Sequence, residues 1–495
     1  MTMPDEMSLP RAASTGAGRW PFDNSYGRLP ERFYARLEPT AVSAPRLVKL
    51  NRPLALQLGL DPEVLALPES VEILAGKRIA EGSEPIALAY AGHQFGNFVP
   101  QLGDGRAVLL GEVVDTGGTR RDIQLKGSGP TPFSRRGDGR AALGPVLREY
   151  LISEAMHALG IPTTRSLAAV TTGDLVYRET ALPGAVLTRV ASSHIRVGTF
   201  QFFAARGDVE ALRLLADHVI ARHYPEASGY RDLYEQVIAR QAALIARWLL
   251  VGFIHGVMNT DNVSIAGETI DYGPCAFMDA YNPETVFSSI DHQGRYAYGR
   301  QPQIGGWNMA RLGEAMMPLF SDDQDEALRQ ANESLQTYQP LFGRELMAGL
   351  RRKLGLFTEQ EDDSELAQDF LNILNDHGTD FTQAFRRLGE GTARGLFEEP
   401  AAFDAWATRW RTRTAAEPQD EATRRAAMQA ANPIYIPRNH RVEAALSAAI
   451  EDGDYGPFEE LQAVLVKPFE ERPEFATYAE PPDASQSAYR TFCGT

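Results

Sequence analysis

The chain has only two cysteines in 495 residues, Cys275 and Cys493. That scarcity excludes a disulfide-built secreted scaffold and points to a reducing compartment. No long apolar run is present. The most hydrophobic stretch, Ala242 to Met258, is interrupted by Arg247 and His255, so it reads as a buried helix rather than a membrane span. The opening MTMPDEMSLPRAASTGAG lacks an apolar signal core and carries Asp5 and Glu6, against a secretory or transit peptide. These absences lead us to expect a cytoplasmic protein with no membrane association. Basic residues are in deficit, 49 against 65 acidic, for a net charge of −16. Nucleic-acid binders usually carry the opposite balance, so no nucleic-acid partner is expected. No coiled-coil, collagen-like or tandem-repeat period occurs, and no Gly-rich turn ends in the G-K-[ST] of a P-loop.

What is present is ordinary globular composition, 43% apolar and 23% charged, enough for a substantial core. Residues 1–45 are rich in Pro, Gly, Ser and Ala and read as a poorly ordered or wrapping arm. From there to about residue 200 the pattern is β-rich. AVLLGEVV, RDIQLKG, SLAAVTTGDLVYRE and GAVLTRVA are strand-like runs bounded by turn residues. One helix, PVLREYLISEAMHAL, interrupts them, opened near Pro145 and stopped by Gly160. Residues 201–410 read as helical. YRDLYEQVIARQAALIARWLLVGFIHG predicts one helix running to Gly256, and Ser321-Asp322-Asp323 reads as a cap for another. RTRTAAEPQDEATRRAAMQAANP is either an exposed helix or a linker, and residues 411–495 form a C-terminal extension with a tail. The expected class is α+β: a protein-kinase-like two-lobed fold, β-rich then helical, with an N-terminal arm and a helical C-terminal extension.

The chemistry gathers in HGVMNTDNVSIAGETIDYGP, His255 to Pro274. Kinases carry H-x-D-x-x-x-x-N followed by D-F-G, with the first Asp as base and the Asn and second Asp on the metal. Here Val257 occupies the base position, while Asn262 and Asp271-Tyr272-Gly273 keep the metal positions. Asn262 and Asp271 offer hard oxygen ligands suited to Mg²⁺, with Mn²⁺ as an alternative. Asp261 stands beside Asn262, although an Asp-Asn pair is often only a turn.

Upstream, Lys126 ends a strand-like run and Glu149 lies on the following helix, the order in which kinases place a phosphate-binding lysine and its glutamate. Taken singly, each is as readily an ordinary surface residue. Two glycine-rich stretches flank the lysine: QLGDGRA, with Gly103, Gly105 and Arg106, and KGSGPTPFSRRGDGRAALG, with Asp138 and Gly139 among three arginines. Glycines admit close phosphate approach and arginines add paired donors. Arg189 and Arg196 lie seven apart, a spacing that is informative only on a helix.

YAGHQFG, QLGDGRA, QLKGSGPTPFSRRGDGRAALG, HGVMNTDN, DYGPCAFMD and the late NPIYIPRNH together resemble the selenoprotein O (SelO) family of pseudokinases, across nearly the whole chain. The resemblance implies a kinase-like fold with ATP bound in a flipped orientation. It also implies transfer of AMP, rather than phosphate, to Ser, Thr or Tyr hydroxyls of proteins. Lys126 would contact phosphate with Glu149 as its ion-pair partner. Gly103, Gly105, Arg106, Asp138, Gly139, Arg189, Arg196 and Asp271 would line the nucleotide site. Asp261 would accept the proton, and Asn262 and Asp271 would hold Mg²⁺. Some members carry selenocysteine near the C-terminus where this chain has Cys493. From spacing alone the two cysteines are as well read as unrelated thiols; the resemblance implies a redox-controlled Cys275–Cys493 pair. Two other readings stay open: a kinase that has moved its base to Asp261, and an inactive nucleotide-sensing scaffold.

Overall fold

The computed structural model describes residues 18–483 and 489–491. The chain divides into two compact units that interleave in sequence. The first takes the chain up to Leu88 with Asp104–Ala141 and Ser166–Ser192; the second takes Ala89–Gly103, Ala142–Arg165 and the chain from Ser193 onward.

Ten strands occur before residue 192: β1 (Tyr34–Arg36), β2 (Arg46–Leu50), β3 (Ile86–Leu88), β4 (Gly92–Gln94), β5 (Asn97–Val99), β6 (Ala107–Val114), β7 (Arg120–Lys126), β8 (Ala141–Ala142), β9 (Arg165–Tyr177) and β10 (Ala181–Ala191). In the first unit they pair in the order β1-β3-β6-β7-β10-β9-β2. The ladders β1–β3, β3–β6, β6–β7, β7–β10 and β2–β9 are antiparallel. The run AVLLGEVV forms β6 and is buried at every position but its last, the pattern of a central strand covered on both faces. Three short helices, Arg52–Gln57, Pro62–Leu65 and Pro68–Leu74, each carry Pro in their first turn. Their Leu54, Ile73 and Leu74 join Ile123, Leu125, Leu167 and Val186 of the sheet in one apolar cluster. Each such side chain contributes about 1.5–3 kcal/mol on burial. Trp20 belongs to that cluster, and Tyr26 and Phe33 are also buried, so the described part of the N-terminal arm is packed.

The second unit is mainly helical. Its axis is helix Tyr230–Leu250, packed against helices Gln301–Phe320 and Tyr338–Leu354. Gly305 lets these helices close up, since a Cβ there would run into Ile245 and Tyr338. The predicted helix to Gly256 stops instead at Leu250. Gly252 takes a left-handed φ of +73°, and Phe253–Ile254 form β11, paired with β12 (Ala276–Phe277). Apolar continuity through WLLVGFIHG hid that break. Asp323 caps helix Gln324–Leu335 by accepting from the Glu326 N–H at 2.8 Å. The stretch left open between helix and linker is parts of two helices, Ala401–Ala415 and Glu421–Ala431. No helix among the described residues is long and apolar enough to cross a membrane.

Candidate functional site

In the second unit, the loop after β11 is fixed from both ends. His255 is fully buried; its Nδ1 accepts from the Val257 N–H at 3.4 Å, so its Nε2–H donates to the Ile270 carbonyl at 2.9 Å. Burial lowers its pKa, keeping the ring neutral. Gly256 has a φ of +80°, and a Cβ there would sit 2.6 Å from the Pro274 oxygen. The His255 turn and the Asp271-Tyr272-Gly273 segment are therefore packed together. Val257 contributes through its backbone alone: besides its N–H bond to His255, its carbonyl accepts from Asn262 Nδ2 at 3.0 Å. That contact orients the Asn262 amide and leaves its side-chain oxygen for another partner.

Arg196, just ahead of helix Val197–Ala204, connects the acidic residues. Its Nη1 donates to the Asp261 backbone oxygen at 2.7 Å and to Asp271 Oδ2 at 2.7 Å. The guanidinium is buried and lies 4.4 Å over the Tyr90 ring. Asp271 itself is held at a φ of +61°, a left-handed conformation that costs a non-glycine residue about 1–2 kcal/mol. A strained metal-candidate residue locked by a buried arginine is a common signature of a functional site.

Asp261 is 8% exposed. Its Oδ2 accepts from Gln94 Nε2 at 3.2 Å, and its Oδ1 is buried with no hydrogen-bond partner. Burial pushes its pKa up to about 6. A buried carboxylate oxygen left unmatched costs about 1–3 kcal/mol or more, so it marks a position awaiting a proton donor or a ligand.

The β4–β5 hairpin holds this loop. The His93 N–H donates to Thr260 Oγ1 at 2.7 Å, and the Phe95 N–H to Asn259 Oδ1 at 3.0 Å. Tyr296 Oη donates to the same Asn259 oxygen at 2.7 Å, and Thr260 Oγ1 to Gln201 Oε1 at 2.6 Å. Gly92 lies directly against Asp261, where a Cβ would stand 2.5 Å from Oδ1. Sequence reading missed Gly92, Gln94, Asn259 and Thr260. YAGHQFG marked the stretch as distinctive but gave it no task, because its partners lie more than 160 residues away.

The first unit carries the glycine-rich stretches, laced to one another. Thr131 Oγ1 donates to the Asp104 oxygen at 2.7 Å and Ser134 Oγ to the Gly105 oxygen. A Cβ on Gly105 would meet the Phe133 carbonyl at 2.9 Å. Gly139, at φ +64°, presses on Gly129, whose N–H donates to its carbonyl at 3.1 Å. Arg178 forks onto both oxygens of Asp138 at 2.9 and 3.2 Å, and this holds the Asp138 carboxyl below its ordinary range. Arg106 precedes β6, its carbonyl accepting from the Gly127 N–H at 2.7 Å, just after Lys126. Arg189 is buried on β10, opposite Gln124, to which it donates at 3.4 Å. It therefore sits on a strand of the first unit, whereas Arg196 belongs to the second. Gly103 and Glu149 also belong to the second unit; Glu149 is buried on helix Leu143–Ala158.

Within the second unit, the tail returns to the end of the candidate loop. Thr491 forms a bridge with Ser288, its N–H donates to the Phe287 oxygen at 2.8 Å, and its Oγ1 donates to the Pro274 oxygen at 2.8 Å. Cys275, next in sequence, is fully buried. No disulfide forms among the described residues, and Cys493 lies outside them.

The family model described as "Protein adenylyltransferase SelO" matches residues 19–466. The chain belongs to the SelO family. It is 66% identical over 490 residues to the "Protein nucleotidyltransferase YdiU" of Rhodopseudomonas palustris strain BisB18, covering 97% of this chain and all of that one. Proteins of the same description from Bradyrhizobium diazoefficiens and Methylorubrum populi are 65% and 64% identical, with 96% of this chain and 99% of theirs covered. This SelO-family chain is an enzyme, a nucleotidyltransferase. Asn262 and Asp271 carry side-chain oxygens of the kind a hard divalent cation takes. Among the described residues no three His, Cys, Asp or Glu side chains form a metal cage.

Proposed function

We propose that the protein transfers AMP from ATP to Ser, Thr or Tyr hydroxyls of other proteins and releases pyrophosphate. The observation that carries this reading is the Asp261 carboxylate. It is buried, bonded through one oxygen to Gln94 and unmatched at the other among the described residues, while the Asp261 backbone carbonyl shares Arg196 with the Asp271 carboxylate. Asp261 takes the proton from the acceptor hydroxyl as its oxygen bonds the α-phosphorus and the bond to pyrophosphate breaks. Asn262 and Asp271 would hold Mg²⁺, or Mn²⁺ in its place, whose charge neutralises phosphate oxygens when bound.

ATP enters in the flipped orientation, which presents the α-phosphorus rather than the γ to Asp261. Lys126, Arg106, Arg189 and Arg196 bind the departing phosphates, and Gly103, Gly105 and Gly139 admit them closely. Glu149 orients Lys126, and Asp138 keeps its glycine-rich turn in place through Arg178. The protein has a kinase-like two-lobed fold and works in the cytoplasm. Docking of Thr491 on the Pro274 carbonyl supports a reversible Cys275–Cys493 disulfide that restrains the tail beside the site. ATP labelled separately at the α- and γ-phosphorus tests the reading. Transfer of the α-label to protein is expected; transfer of the γ-label alone would make the protein a kinase.

A further inference from the structure

We propose that the β4–β5 hairpin, with Arg206 and Arg295 beside it, is the docking surface for the acceptor protein and that it takes an acidic segment. This rests on the AMP-transfer reading and adds the class of substrate.

The hairpin is the element that reaches Asp261, through Gln94, and its tip is exposed, Phe98 to 41%. No charged residue occurs from Ala91 to Gly103. Two arginines stand beside it, and the carboxylate it contacts, Asp261, lies on the candidate loop. Arg295 lies 3.8 Å from where a Cβ on Gly96 would stand, two residues along from Gln94. Its guanidinium sits 4.8 Å over Trp307, its Nε has no hydrogen-bond partner, and no carboxylate pairs with it among the described residues. The Asp291 oxygens accept from the backbone N–H groups of Arg295 and Tyr296, at 2.9 and 2.8 Å.

Past the other end of the hairpin, the exposed Arg206 lies 3.5 Å over Phe202. Its Nη1 donates to the Phe202 and Pro100 carbonyls at 2.8 and 3.1 Å, with no carboxylate partner among the described residues. Between the two, Phe98, His93 and Trp307 form a ring ladder with centroids 4.9 and 5.3 Å apart. Arginines stacked on aromatic faces and lacking counter-ions recognise carboxylates through paired donors. The chain's net charge of −16 opposes an acidic partner at long range. Beyond about 8 Å, however, physiological salt screens that repulsion, and the local pair decides the contact.

The test uses the full chain, α-labelled ATP and two peptides. They share one serine and differ only in carrying Asp and Glu, or Lys, at the flanking positions. The wild type should label the acidic peptide with about tenfold higher kcat/KM. Arg295→Glu and Arg206→Glu should each erode or reverse that preference, chiefly through KM, whereas Arg295→Lys should keep most of it. Arg206 is exposed, so its variant reports even if Arg295→Glu folds poorly. Equal kcat/KM for the two peptides in the wild type, or a preference that survives both charge reversals, overturns the inference. Absence of α-label on both peptides and on the enzyme itself brings down the AMP-transfer reading beneath it.

Discussion

Two buried acid–arginine clusters lie in the second unit, and they are wired differently. Around Arg438, Nη1 donates to Asp279 and Asp380, each at 2.6 Å, while Nη2 donates to Asp380 and the Ala479 oxygen at 3.1 and 3.0 Å. Both of these carboxylates meet the guanidinium, and Asp380 also caps helix Phe381–Glu390. At the other cluster Arg196 Nη1 donates to the Asp271 carboxylate and to the Asp261 backbone oxygen. The Asp261 carboxylate lies within the field of Arg196 and keeps one oxygen unmatched among the described residues. A cluster that only holds the fold spends its charges on itself, whereas one that does chemistry leaves a charge unspent for the substrate.

The largest expected effect separates the two clusters. Asp261→Asn or Asp271→Ala should lower AMP transfer by about 10²–10⁴-fold, with thermal unfolding close to the wild type. Arg438→Met should do the reverse. It leaves the buried Asp380 and the half-buried Asp279 without their cation, so it should cost about 3–5 kcal/mol in denaturant unfolding while the folded fraction keeps its activity. If Arg438→Met folds normally, or Asp261→Asn unfolds the chain, the contrast is wrong.

A smaller effect sharpens it. Gly92→Ala places a methyl 2.5 Å from Asp261 Oδ1 and 2.9 Å from its Cβ, so the carboxylate must turn away. Transfer should fall by about ten- to a hundredfold with little change in melting temperature; an unchanged rate would show that Asp261's position does not matter.

The smallest prediction concerns a third buried charge with no carboxylate at all. Lys353 is 4% exposed, 4.4 Å over Phe385 and 5.4 Å over Phe381, and burial lowers its pKa from 10.5 to about 7. Between those values the unfolded chain binds the extra proton, so stability should rise with pH across that window. The penalty is complete below about pH 7 and gone above pH 10.5. Lys353→Met should therefore stabilise by on the order of 1–4 kcal/mol at pH 7, less whatever the ring contacts contribute, and by little near pH 10.5. A pH-independent difference in unfolding free energy would refute this.

The strands AVLLGEVV and RDIQLKG were legible because apolar runs end sharply at turn residues, and they are β6 and β7. The end of helix Tyr230–Leu250 was not, because its break at Gly252 interrupts no apolar pattern. At the candidate site, the short spacing of one loop singled out Asn262 and Asp271 as candidates, while Asp261 took its task from the family resemblance. The packing of Gly92 and Gln94 on Asp261 could not, since local spacing carries no record of contacts closed by tertiary folding. Arg438 was hidden for the same reason: NPIYIPRNH gives no sign that its arginine meets Asp279, 159 residues away.

Peptide mass spectrometry of an acceptor protein incubated with ATP, wild-type enzyme or Asp261→Asn, with stability of the variant checked alongside, is the most direct test. The account predicts hydroxyl side chains carrying one AMP with the wild type and essentially none with the folded variant. Phosphate in place of AMP, or AMP appearing at the wild-type rate with Asp261→Asn, would contradict it.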